Sequence, residues 1–231
     1  MTCPAPDWPV TPLAASVSVV ADRPMPALSP ALANRVQAHW DKARETRPSL
    51  YNGRVFCADH IEPERISGHW SEYRRVFAQM QEPDLFGKAP LRPLAVVGLL
   101  KTRDGIMIGQ RAQQAVYLSG WWQGTPAGNV ESRTGTEEID LPAQLLAEAA
   151  EELGLSAQDC RTGPCLLACE HPQTHIMDVG IRLDVSLGFS EVLERCQSRG
   201  NGEYAALRLL TAGQPLPHPT VPTLSAMLEH A

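Results

Sequence analysis

Seven consecutive apolar residues, Leu94-Ala95-Val96-Val97-Gly98-Leu99-Leu100, constrain the fold of this chain more than any other segment. A strand with one face in water alternates apolar and polar side chains, whereas an uninterrupted run marks a strand covered on both faces. Helices must therefore pack on either side of the sheet that contains it. Asp104-Gly105 follows as a hairpin turn into a second strand over 106–111. Residues 161–168, 176–187 and 204–210 read as further strands and 190–197 as a short helix. A terminal helix begins near Thr223, after Pro215, Pro217, Pro219 and Pro222. The fold expected is an α/β/α sandwich on a mixed sheet.

The second informative segment is LLAEAAEELGL, Leu145 to Leu155. Glu148, Glu151 and Glu152 fall at i, i+3 and i+4 and so share one helix face. Leu145, Leu146, Ala149, Ala150 and Leu153 are expected to form the opposite, buried face, leaving the carboxylates turned outward. Gly154 suits the left-handed residue that ends a helix. Three carboxylates this close repel, and all-oxygen ligands favour a hard cation such as Mg²⁺. A solvated acidic face is the competing reading of these residues taken alone.

The N-terminal third has a different texture. Pro4, Pro6, Pro9, Pro12, Pro24 and Pro26 interrupt the start and predict an extended arm without packed elements. Ser29 and Pro30 open a helix whose buried face is Ala33, Val36, Trp40 and Ala43, and which stops before Pro48. A turn at Asn52-Gly53 leads to a short strand, a partner strand follows from about Arg65 to Trp70, and 72–80 reads as helical. Pro83, Gly87, Pro90 and Pro93 mark a boundary. The division expected is a small α+β domain with its arm over 1–89 and a larger domain over 90–231, the latter able to fold from about Pro90 onward.

Charge and cysteine content narrow the function classes. A net charge of -6 argues against nucleic-acid binding through phosphate neutralisation, although a bound cation would still admit a nucleotide substrate. No apolar run approaches the ~20 residues of a membrane helix, and no basic, apolar leader opens the chain, so no membrane partner and a cytoplasmic location are expected. Six cysteines at 3, 57, 160, 165, 169 and 196 contain no C-x2-C pair and read as free thiols. His171, His175 and Asp178 would suit zinc only on a helix, which Pro172 interrupts. Trp121 and Trp122 read either as a base-stacking pair or as core. Phosphate-loop, nucleophile-elbow and dinucleotide fingerprints are absent from the sequence.

Pro126-Ala127-Gly128-Asn129-Val130-Glu131, followed by an acidic loop and the glutamate helix, resembles the Nudix box, G-x5-E-x7-R-E-U-x-E-E-x-G-U, where U is a bulky aliphatic residue. Gly128, Glu148, Glu151, Glu152, Gly154 and Leu155 match once a few inserted residues are allowed. Ala147 stands where the box has arginine, Ala149 at an aliphatic position, and the early glutamate is displaced to Glu137 or Glu138. The short element from Leu50 to Phe56, the box without its arginine and Gly202-Glu203-Tyr204 resemble the subgroup that hydrolyses UDP-glucose and UDP-galactose and carries an extra N-terminal domain.

That resemblance implies cleavage of a small-molecule nucleotide sugar to UMP and sugar 1-phosphate, with Mg²⁺ or Mn²⁺ held by Glu148, Glu151, Glu152 and the Gly128 carbonyl. Either a helix glutamate or Glu203 would deprotonate water, and Arg111 would meet phosphate because a guanidinium pairs with it bidentately. Tyr51 and Asn52 are expected near the sugar or base. Arg133 or Arg111 is the expected substitute for the missing arginine. A Nudix hydrolase for another nucleoside diphosphate derivative, such as ADP-ribose, and an inactive nucleotide-binding module are the alternatives.

Overall fold

A computed structural model describes residues 8–132, 139–211 and 213–230. From Trp8 onward the proline-rich start is not a loose arm. Strand β1 (Val10–Pro12) pairs antiparallel with a strand of the large sheet, Thr11 opposite Ala168, and the neighbouring Trp8 is buried. Prolines are tolerated there because β1 is an edge strand, where missing N–H donors interrupt no inner ladder. Strand β2 (Ser18–Ala21) then pairs parallel with a strand of a smaller sheet, burying Val19 and Ala21.

Helix α1 (Pro30–Thr46) starts as its sequence dictates. The Ser29 hydroxyl accepts from the Leu32 N–H at 3.3 Å, Pro30 opens the first turn, and Val36 and Trp40 are buried. Strands β3 (Arg54–Glu62) and β4 (Arg65–Glu72) form an antiparallel hairpin, and α2 (Tyr73–Gln81) follows directly. No turn forms at Asn52-Gly53. The Asn52 side chain instead caps α2, with Oδ1 accepting from the Arg74 N–H at 2.9 Å and Nδ2 donating to Glu72.

The apolar run becomes β5 (Leu94–Thr102), joined by a hairpin to β6 (Gly105–Arg111). Two short strands that the sequence does not announce follow, β7 (Trp122–Gly124) on β6 and β8 (Ala127–Asn129) on β5. Next come α3 (Leu141–Leu153), β9 (Cys160–Glu170), β10 (Met177–Val185), α4 (Phe189–Arg199), β11 (Tyr204–Leu209) and α5 (Pro222–Glu229). The large sheet runs β1-β9-β10-β5-β6-β11, with β10 parallel to β5 and its other pairings antiparallel. Leu94, Val96 and Leu100 face the core shared with α3, while Val97 and Leu99 face the one containing α5 residues Leu224 and Met227. This is the mixed-sheet α/β/α sandwich the apolar run requires.

The small sheet, β2-β4-β3, is not separately packed. Val19, Ala21, Phe56, Ala58, Ile66 and Trp70 belong to the same core as Leu94, Leu141 and Leu145. Backbone hydrogen bonds from Phe56 to Val130 and from Ala58 to Arg92, 2.9 and 2.8 Å, tie β3 to the larger part. The segment 82–93 does pass between the two sheets, but residues on both sides of it share one hydrophobic interior.

Among the described residues Cys57, Cys160, Cys165, Cys169 and Cys196 are free thiols. No described helix is long and apolar enough to cross a membrane.

Candidate active site

Helix α3 is anchored at both ends by the residues its sequence supplies. Asp140 Oδ1 accepts from the Ala143 N–H at 2.9 Å, and Gly154, at φ 65°, takes the left-handed conformation that lets its own N–H and that of Leu155 return to the last turn. A side chain at Gly154 would also strike Arg195 and Arg199 of α4. The helix is consequently fixed in depth and rotation, and this determines where its carboxylates lie.

The rotation differs from the sequence expectation. Glu148 and Glu152 are buried, at 9% and 3% exposure, and only Glu151 of the three is exposed. Ala150, assigned to the buried face, is exposed. The glutamates therefore line the wall of a cleft between α3 and the sheet rather than a solvated helix face. The cleft, of about 540 Å³, is also lined by Gly128, Glu131, Arg111 and Glu203. Sequence reasoning misses Glu131 as a site residue; its one signal there is its place three residues beyond Gly128.

Close packing holds the buried pair. Glu152 Oε2 accepts from the Ala127 N–H at 3.0 Å and from the Tyr204 hydroxyl at 2.6 Å. Gln144 Nε2 donates to Glu148 Oε1 at 2.6 Å. Burial pushes the Glu152 carboxyl up to about 8, against the two hydrogen bonds and with help from the charges of Glu203 and Glu148. The Tyr204 hydroxyl is raised well above its ordinary range by burial and by Glu152.

Gly128 has a role that its backbone carbonyl alone does not describe. A Cβ there would lie 2.4 Å from the Glu148 carboxyl, so the missing side chain is the space the carboxylate occupies. Gly128→Ala is expected to force Glu148 aside and lower turnover by about tenfold or more, with an unchanged far-ultraviolet spectrum. Wild-type kcat in that variant would show that Glu148 is not needed where it stands.

Arg111, at the end of β6, is a half-buried clamp. Its Nε donates to the Tyr117 carbonyl at 2.9 Å, one terminal nitrogen donates to Gln123 Oε1 at 3.1 Å, and the other lies 3.2 Å from Glu203 Oε1. Three contacts fix its plane at the cleft and leave N–H donors over. The carboxylate it pairs with in this arrangement is Glu203. Arg133, Glu137 and Glu138 lie outside the described residues.

The remaining sequence candidates fall elsewhere. Tyr51 is 82% exposed and does not line the cleft, and Asn52 is occupied in capping α2. The N-terminal part enters the cleft through Tyr73, Val76 and Met80 of α2 instead. His171 Nδ1 receives the Thr174 N–H, and His175 pairs with Glu170, so these histidines brace a loop. Trp121 and Trp122 are half-buried against the α5 core.

The donor set, carboxylates with a backbone carbonyl, fits a hard divalent cation. Among the described residues, however, no three acidic, histidine or cysteine side chains converge as a ready-made metal site. The acidic wall is assembled in type and position, and its oxygens are not drawn together.

No family model matches the sequence, and no curated protein matches it. Among solved structures the chain is similar to a Nudix hydrolase from M. Smegmatis, RenU, at 17% identity and TM-score 0.41 over 60% of this chain and 82% of that one. It is similar to a MutT protein from Methanosarcina mazei Go1, at 14% and 0.34 over 60% and 89%. A bifunctional NMN adenylyltransferase/ADP ribose pyrophosphatase from Francisella tularensis gives 13% and 0.41 over 68% and 47%. At these identities and scores the likeness assigns neither family nor activity.

Proposed function

We propose that the protein is a Nudix-type hydrolase that cleaves the diphosphate bond of a nucleotide sugar, UDP-glucose or UDP-galactose, to UMP and sugar 1-phosphate. The observation that carries this reading is the gathering of Glu131, Glu148, Glu151, Glu152 and Glu203 with Arg111 in one cleft. Oxygen donors gathered beside a guanidinium suit a hard cation and its anionic ligand.

Glu148, Glu151, Glu152 and the Gly128 carbonyl are the residues that would hold Mg²⁺ or Mn²⁺, which when bound neutralises phosphoryl charge and lowers the pKa of water. The chain supplies the rest. Arg111, its plane fixed by Tyr117, Gln123 and Glu203, presents its remaining donors to phosphate oxygens. Glu203, on the loop before β11, lines the same cleft and serves, or a helix glutamate serves, as the base that takes a proton from water. The buried β5 and α3 scaffold keeps these groups rigid, so little reorganisation accompanies reaction.

The test is a screen of UDP-glucose, UDP-galactose, ADP-ribose and other nucleotide-linked substrates with Mg²⁺, identifying the nucleotide and sugar phosphate released. The expected result is UMP from the UDP-sugars, abolished by EDTA and restored by Mg²⁺, with Glu151→Gln strongly impaired at an unchanged melting temperature. Turnover of ADP-ribose alone would replace the substrate assigned here. Nucleotide binding without turnover of any substrate would make the protein a binding module.

A further inference from the structure

Glu152 is held from outside its own helix. Its Oε2 accepts from the Tyr204 hydroxyl at 2.6 Å, the separation of a strong O–H···O bond, and from the Ala127 N–H at 3.0 Å. Both bonds meet one oxygen, so they fix the carboxylate and engage Oε1 in neither case. Position 147, on the same helix beside Glu148, is alanine and supplies no side-chain donor.

Tyr204 is itself firmly placed. It opens β11, opposite Arg111 of β6. A Cβ at Gly109 of β6 would lie 2.4 Å from its ring, so the ring occupies the space that a side chain there would fill. The ring also packs against the core that contains Leu145 and Leu153 of α3. The loop that precedes it is tied to the same helix, the Asn201 N–H donating to the Glu151 carbonyl at 3.0 Å. The hydroxyl therefore reaches Glu152 from a rigid base, and a polar group held this way positions its partner without further ordering.

Resting on the diphosphate-hydrolase reading of the cleft, we propose that Tyr204 is the positioning residue for Glu152, its hydroxyl fixing the carboxylate where it takes the divalent cation. Tyrosine suits that task for an electrostatic reason. A hydroxyl donates without a full positive charge, so it restrains the carboxylate without repelling the metal, as an arginine or lysine at the same distance would.

The full chain with Tyr204→Phe tests this, since phenylalanine keeps the ring over Gly109 and removes only the hydroxyl. Mn²⁺ affinity is measured by electron paramagnetic resonance on wild type, Tyr204→Phe, Glu152→Ala and the double variant, and kcat and KM for UDP-glucose are measured on wild type and Tyr204→Phe. The expected result is that Tyr204→Phe weakens Mn²⁺ binding and lowers kcat by about tenfold each, the scale on which a ligating carboxylate loses its supporting hydrogen bond, while KM at saturating Mg²⁺ changes less than twofold. In the Glu152→Ala background the same substitution should change Mn²⁺ affinity less than twofold, because a residue that acts through Glu152 then has nothing to act on. Equal losses in both backgrounds would mark a structural role and overturn the assignment. So would a raised KM at unchanged kcat, or a wild-type protein that binds no Mn²⁺. Mn²⁺ affinity that depends on Tyr204 through Glu152, in a protein that hydrolyses no nucleotide-linked substrate, would uphold the positioning role and reject the hydrolase reading. Hydrolysis of UDP-glucose with Mn²⁺ affinity unmoved by Tyr204→Phe would do the reverse.

Discussion

Glu152→Gln is expected to remove activity and stabilise the fold at once. Turnover should fall by about a hundredfold or more, the scale on which a single preorganised electrostatic group is lost. Stability should move the other way. In the metal-free protein burial raises the Glu152 carboxyl from 4.5 to about 8, so between those values the native state keeps a proton that the unfolded chain has released. Where the native state binds more protons, stability falls as pH rises, and wild type therefore loses stability progressively from pH 4.5 to about 8. Each tenfold change in proton affinity is worth about 1.4 kcal/mol, so the loss is on the order of 5 kcal/mol as an upper bound. Glutamine does not ionise. Both donors, Ala127 N–H and the Tyr204 hydroxyl, meet the same oxygen of Glu152, and an amide carbonyl with two lone pairs accepts both.

The advantage of the variant should thus be small at pH 5, grow to about pH 8 and stay level above it. Thermal melts in EDTA at pH 5, 7 and 8.5 would show it as a Tm difference that widens with pH. A difference that is constant with pH, or a variant less stable than wild type at 8.5, would mean that Glu152 is not a strained carboxylate. Lost activity together with raised Tm separates an effect on the site from simple misfolding.

A chain beginning at Pro90 is expected not to fold, contrary to what the composition change near Pro83–Pro93 suggests. Removing residues 1–89 takes Val19, Ala21, Phe56, Ala58, Ile66 and Trp70 out of a core that also contains Leu94, Leu141 and Leu145. The large buried side chains among them are worth about 1.5–3 kcal/mol each, and a whole domain is stable by only about 5–15 kcal/mol. The deletion also strips β1 from β9 and leaves the Leu91 backbone and the Thr174 carbonyl without Gln79, which bonds to them at 2.7–2.8 Å. Size-exclusion chromatography and thermal denaturation provide the check. A monomer with a single cooperative melt would show that the two sheets are separable domains after all.

Much of the architecture was legible because its signals are local. The unbroken run at 94–100 announced a strand buried on both faces, Ser29-Pro30 and Gly154 set helix ends, and Asp104-Gly105 set a hairpin. Each depends on steric or hydrogen-bonding properties of residues a few positions apart. The i, i+3, i+4 spacing of Glu148, Glu151 and Glu152 likewise placed them together in the chain, because helical geometry alone brings such residues onto one face.

Long-range pairing decided the rest. Pro9 and Pro12 read as breakers until β9 supplied an edge on which a strand may carry prolines. Asn52-Gly53 read as a turn, yet the Arg74 N–H at the start of α2, 22 residues away in sequence, claimed the Asn52 side chain. The spacing of the glutamates could not say which way their face turned. That depended on α3 being wedged against the sheet and α4, which buries Glu148 and Glu152, exposes Ala150, and makes Gly128 the space for a carboxylate. Nor could sequence show Gln123 held by Arg111, since β6 and β7 pair only in the folded sheet. Periodicity and capping determined the elements and the chemical type of the site; packing between distant segments determined its depth and the charge state of Glu152.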